Sequence, residues 1–111
     1  MNVAIIGLGF VGLTLALSLA DRGVKVFGVE KDQKSFSTLS KGIPTLKEKG
    51  IQRILERNIG KNFQVFQSLE EINSKISSFI ICVATPIKNG KLSTNQLKKA
   101  SEDVGKNITD N

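Results

Sequence analysis

Histidine, tryptophan and tyrosine are absent from this 111-residue sequence, and there are one cysteine and two prolines. Each scarcity excludes something. Without histidine, any catalysis housed in this chain would lack the commonest general base. With Cys82 alone, no intramolecular disulfide can form, and a reducing cytosol is the natural compartment. Six phenylalanines are the whole aromatic complement, so the core must be mostly aliphatic. The N-terminus has no basic region ahead of its apolar run and no A-x-A cleavage pattern. Glycines and then charges interrupt that run, which argues against a signal peptide and a membrane span. Few aromatics accompany the 16 Lys+Arg and 10 Asp+Glu to stack on bases, and the lysines are spread rather than blocked. The net charge of +6 therefore points to solvated helix faces or anionic small ligands before nucleic acid.

What is present is ordinary for one modest globular domain: 40% apolar and 23% charged residues. Asn2–Ile6 is a β-branched-rich run that reads as a buried strand. Phe10–Arg22 is rich in Leu and Ala and reads as a helix buried on more than one side, with Gly23 as its C′ residue. Val24–Glu30 is a second strand ending on a carboxylate. Lys31–Lys41 reads as a short helix closed by Gly42, with Phe36 and Leu39 on one face. Pro44 breaks the chain, and Glu48–Asn58 is a further helix carrying Ile51, Ile54 and Leu55 at helical spacing. Asn62–Gln67 alternates, with Phe63 and Val65 on one face and Phe66 out of phase. Ser68 and Glu71 have capping-box spacing and predict a short helix to about Ser74 or Ile76. Ser78–Ala84 is wholly apolar, as befits the centre of a parallel sheet. Asn89-Gly90 marks a turn, and Ser93–Lys106 a last helix.

Strands alternating with helices predict an α/β chain, a Rossmann-like doubly wound parallel sheet. Four strands are expected here where a complete dinucleotide fold has about six. The expectation is therefore a single dinucleotide-binding domain over residues 1–111, incomplete on its C-terminal side.

Gly7, Gly9 and Gly12 give G-x-G-x-x-G spacing, a weak signal alone. Here it follows a strand, opens a helix, and is answered by Glu30 at the end of the next strand. Gly7 allows the tight turn, Gly9 lets the backbone approach a pyrophosphate, and Gly12 lets helix and strand pack closely. The N–H groups near Phe10 and Val11, with the helix dipole, would face the anion. Glu30 would accept hydrogen bonds from the adenosine ribose, and its charge repels a 2′-phosphate, which favours NAD over NADP. Lys34 is a candidate for the adenosine side, whereas Lys31 reads as a solvated helix start. Val83 and Thr85 end the strand expected beside the first and would line the far side of the crevice. Cys82, between Ile81 and Val83, reads as a buried structural thiol with no charge nearby to activate it. Glu70, Glu71, Glu102 and Asp103 fall in solvated helix patterns and are not taken as catalytic.

Three stretches together resemble the nucleotide-sugar dehydrogenases, the UDP-glucose and UDP-N-acetylmannosamine dehydrogenases. They are VAIIGLGFVGLTLALSLADRGVKVFGVE, KGIPTLKEKGIQRILER and FIICVATPI. Glu30 stands where that family more often has Asp, and Pro44 and Glu48 lie one residue further apart than its pattern. The resemblance implies NAD as cofactor and the oxidation of a UDP-sugar alcohol to a carboxylate by a full-length parent. It also implies a catalytic cysteine in a Gly-Gly-x-Cys type motif, which is not in these residues, so this chain alone would be inactive. A sensing module that binds NAD(H) without chemistry is the rival reading, and the Pro44–Asn58 segment and the Val-x-Thr-Pro ending favour the dehydrogenase. An exposed sheet edge or helix face would further give a tendency to self-associate.

Overall fold

The computed structural model describes residues 1–84 and 87–108. Strands β1 (Asn2–Ile6), β2 (Lys25–Val29), β3 (Phe63–Phe66) and β4 (Ser78–Ile81) form one parallel sheet in the order β3-β2-β1-β4. Helix α1 (Phe10–Asp21) connects β1 to β2, and helices α2 (Gln33–Ser40) and α3 (Ile51–Asn58) connect β2 to β3. A single 3₁₀ turn, Leu69–Glu71, leads to β4. Beyond it come a short antiparallel hairpin, β5 (Ile87–Lys88) and β6 (Lys91–Leu92), and helix α4 (Asn95–Asn107). Asn89 and Gly90 both take positive φ at the hairpin tip, the conformation a two-residue turn between twisted strands needs.

Alternation along the strands divides the core between the two faces of the sheet. Val3 and Ile5 of β1, Val26 of β2 and Phe63 of β3 face α1, α2 and α3, whose Leu13, Ala16, Leu17, Leu39 and Leu55 complete the larger cluster. Ala4, Ile6 and Val29 face the other way, onto Leu69 and onto Ala100 of α4. Phe66, out of phase with Phe63, stacks on Phe27 with ring centroids 6.1 Å apart on the second face. Because α1 closes against both the sheet and α3, its apolar residues fill more than one side, yet Val11, Thr14 and Ser18 remain exposed.

Gly23 and Gly42 end α1 and α2 as their positions suggest. The Gly23 N–H donates to the Ala20 carbonyl and that of Val24 to the Leu19 carbonyl. Gly42 and Ile43 repeat the pattern onto Leu39 and Thr38. Those paired bonds satisfy carbonyls that the helix itself leaves over.

Three elements depart most from the sequence reading. Helix α3 starts at Ile51 rather than Glu48, because Gly50 is left-handed at φ 91° and turns the chain just before it. The stretch after Ser68 forms only the 3₁₀ turn, and the Ser68 side chain caps nothing. There Ile72 is already extended and packs with Ile76 against the second core cluster, so burial overrides the capping-box signal. Finally, β4 is the outer strand of the sheet among the described residues, and Phe79, Ile80 and Ile81 are half-buried rather than central.

Candidate functional site: the crevice at the carboxyl ends of β1, β2 and β4

After β1 the chain runs outward through β2 and β3, then returns to place β4 on the other side of β1. Strand order reverses between β1 and β4, and such a switch point leaves a crevice outside the carboxyl ends of the strands. A cavity of about 860 Å³ lies there, walled by Gly7, Gly9, Phe10, Val11, Glu30 and Val83 together with residues of α4.

The three glycines of the loop meet different surroundings. A Cβ on Gly7 would lie 2.7 Å from the Cys82 carbonyl oxygen, and one on Gly12 would lie 1.8 Å from the Gly7 carbonyl oxygen. Both positions are closed by the protein's own backbone. A Cβ on Gly9 would meet nothing within 4 Å, and its backbone is ordinary extended chain at φ −73°. Nothing inside the fold requires glycine there; the space it leaves opens on the crevice. That is the fit expected of a backbone approached closely by a pyrophosphate.

Gly9 is also the N-cap of α1 and offers no side chain to cap it, and no acidic residue occupies the first turn. The first helical bond runs from the Leu13 N–H to the Gly9 carbonyl at 2.9 Å. The amides of Phe10, Val11 and Gly12 precede it and have no carbonyl within the helix to donate to. They and the positive end of the helix dipole face a position beside the open space at Gly9 with the donors and charge that suit an anion. The exposed side chains of Phe10 and Val11 stand at its rim.

Glu30 follows β2 directly and lies in the crevice wall. Its N–H donates to the Phe66 carbonyl at 2.8 Å, fixing the residue at the strand end. Its Oε2 accepts from the Asp32 N–H at 3.1 Å. Asp32 is the N-cap of α2: its carboxylate accepts from the Ser35 N–H at 2.9 Å, and that bond holds its carboxyl below the usual carboxylate range.

Lys31 and Lys34 part company. Lys31 lines the crevice, and its Nζ lies 3.0 Å from Oδ2 of Asp103 on α4. Lys34 is exposed on α2 and is not among the residues that line the crevice. Asp103 is accordingly more than a solvated helix residue. Its carboxyl is held below the usual range, first by the hydrogen bond from Lys31, and Lys99 lies 3.4 Å from its other oxygen. Val83 is half-buried in the crevice wall as expected, whereas Thr85 falls outside the described residues. Cys82 is half-buried just past the end of β4, where its N–H donates to the Ile6 carbonyl at 2.7 Å, and it too reaches the crevice wall. Burial pushes its thiol up, away from an activated thiolate.

The sequence reading missed the contribution of α4. Asn95, Gln96, Lys99 and Ala100 form a wall of the crevice. Their spacing is one face of a helix, but only the packing of Ala100 and Val104 on the second core cluster turns that face toward the glycine loop.

Switch point, glycine loop and terminal carboxylate define a dinucleotide-binding domain of the doubly wound class. Residues 1–111 match the profile of the UDP-glucose/GDP-mannose dehydrogenase family, NAD binding domain. The chain belongs to that family, as its NAD-binding domain, and its cofactor is NAD. Over 86 residues, 77% of this chain, it is 36% identical to the UDP-N-acetyl-D-mannosamine dehydrogenase of Methanococcus maripaludis and covers 19% of it. It is 28% identical over 110 residues to the UDP-glucose 6-dehydrogenase YwqF of Bacillus subtilis, 97% of this chain and 25% of that protein. The solved structure of a UDP-D-ManNAc dehydrogenase from Pyrococcus horikoshii superposes with a TM-score of 0.88 at 27% identity. That match covers 97% of this chain and 26% of the other. The chain thus spans about a fifth to a quarter of the length of these relatives. The family match favours the dehydrogenase over the sensing module. No helix among the described residues is long and apolar enough to cross a membrane.

Proposed function

We propose that residues 1–111 supply the cofactor half of an NAD-dependent UDP-sugar 6-dehydrogenase that oxidises a UDP-hexose to a UDP-hexuronate. The observation that carries this reading is the open space at Gly9 beside the uncapped start of α1. Bound NAD would supply the hydride acceptor; positioning it falls to this chain. Gly7 and Gly12 set the loop, and Gly9 with the Phe10 and Val11 amides receives the pyrophosphate. Glu30 binds the adenosine ribose through its free carboxylate oxygen, and Val83 closes the far side. Lys31 has a better position than Lys34 for the adenosine side, and Thr85 enters by the resemblance alone. The sugar site and the catalytic cysteine belong to the remainder of a full-length parent, and the compartment is the cytoplasm. Nucleic acid is not among the partners.

Self-association of the isolated chain is part of the same reading. Its support is the half-buried outer strand β4, whose outward backbone groups have no partner among the described residues. Calorimetric titration of the 111-residue chain with NADH tests the cofactor site. Saturable binding that is weakened in Glu30→Ala is expected, and a folded chain that does not bind NADH would contradict it.

A further inference from the structure

Beside the ribose-binding position the sequence holds two residues with opposed effects. The Glu30 carboxylate repels a 2′-phosphate, yet Lys31, next in the chain and also in the crevice wall, is a cation of the kind that accommodates one. Lys99 adds a second cation to the same crevice from α4. Left free, the two lysines would offset Glu30.

Neither lysine is free. One carboxylate engages both: Asp103 Oδ2 lies 3.0 Å from Lys31 Nζ, and Oδ1 lies 3.4 Å from Lys99 Nζ. Asp103 does not itself line the crevice, and at 24% side-chain exposure it is less exposed than either lysine. Its place is fixed by α4, which is anchored by Ala100 and Val104 in the cluster containing Ile6 and Val29. Asp32, which lines the crevice with Glu30, is committed to the Ser35 N–H at the start of α2, and neither carboxylate makes an ion pair with either lysine. The pairing partner of Lys31 therefore comes from α4, 72 residues further on.

We propose that Asp103 is a cofactor-specificity residue: by holding the ammonium groups of Lys31 and Lys99, it leaves Glu30 unopposed and disfavours dinucleotides that carry a 2′-phosphate. It is a positioning residue, acting through the two lysines rather than by touching the cofactor. This inference rests on the reading of the crevice as an NAD site.

The test is a pair of fluorescence titrations, with NADH and with NADPH, on the 111-residue chain, on Asp103→Asn and on Asp103→Asn combined with Lys31→Met. In Asp103→Asn the affinity for NADPH relative to NADH should rise about two- to fivefold, the size of an exposed ion-pair effect, and the gain should shrink in high salt. Adding Lys31→Met should remove most of it. An unmoved ratio in a folded Asp103→Asn, or equal weakening of both nucleotides, would overturn the inference while leaving the NAD site intact. Failure of the unsubstituted chain to bind NADH would overturn the NAD reading itself. If Asp103→Asn does not fold, Asp103→Ala is titrated in its place: the same rise in relative NADPH affinity is expected, and an unmoved ratio would overturn the inference.

Discussion

Gly7, Gly9 and Gly12 look equivalent in the sequence but answer to different constraints in the fold. Two of them are closed by backbone atoms and the third faces open space, so substitutions should separate folding from binding. Gly12→Ala drives a methyl group into the Gly7 carbonyl and should destabilise the chain by at least about 1–3 kcal/mol, the usual cost of overpacking. Gly9→Ala should lose NADH affinity and cost only a fraction of that stability, through the poorer N-cap that alanine makes. Thermal melts beside NADH titrations of the two variants check this, and equal loss of stability in both would refute the distinction. Residues of this loop, and Glu30, were legible in the sequence because their spacing along one strand–turn–helix unit is itself the signal. The pairing of Lys31 with Asp103 was not legible, since nothing local links residues so far apart, and in isolation each reads as a solvated charge. Lys34 shows the converse: it is near Glu30 in sequence, but α2 places it outside the crevice lining.

Among the elements, α1 and α3 are joined by a polar clamp at their carboxyl ends. Arg57 donates from Nε and Nη2 to the two oxygens of Asp21 at 2.6 and 2.7 Å. The buried Asn58 donates to Asp21 at 3.1 Å and to the Ile54 carbonyl at 2.9 Å. The hydrogen bond from Arg57, then that from Asn58, lower the Asp21 carboxyl from 3.8 to about 2. A carboxyl held below its unfolded value stabilises the fold above that unfolded value, and the contribution is lost as pH falls through the folded one. Asp21→Asn should therefore lower the melting temperature by a few degrees near neutrality, with the gap closing between pH 3.8 and about 2. Calorimetry across that range checks it, and a gap independent of pH would contradict the role of the charge. Helix ends were legible where local hydrogen bonds decide them, as at Gly23 and Gly42. The helix expected after Ser68 was not formed because Ile72, already extended, and Ile76 pack against the second cluster instead.

At the scale of the molecule, the sheet order places the crevice and also places β4 on the outside. The apolar strand around Ile80 and Ile81 was legible as a strand, but its neighbours were not, because pairing order is a property of the whole chain. Phe63 shows how far stability depends on that assembly: it is fully buried and joins β3 to the α1–α3 face. Phe63→Ala should cost about 3–5 kcal/mol in urea unfolding, and a loss under about 1 kcal/mol would mean that the face is loosely packed. The outer β4 leads to an association prediction: light scattering should show the apparent mass rising with concentration, and a monomer at all concentrations would refute it. The claim on which everything else depends is that NAD occupies the crevice at the β1–β4 switch point. Amide chemical-shift mapping of the labelled chain with NAD tests it most directly. The largest shifts are expected at Gly9, Phe10, Val11 and Gly12, with smaller ones at Glu30 and Val83. Shifts centred instead on the cavity lined by Ile72, Ile76 and Phe79, toward the amino end of β4, would contradict it.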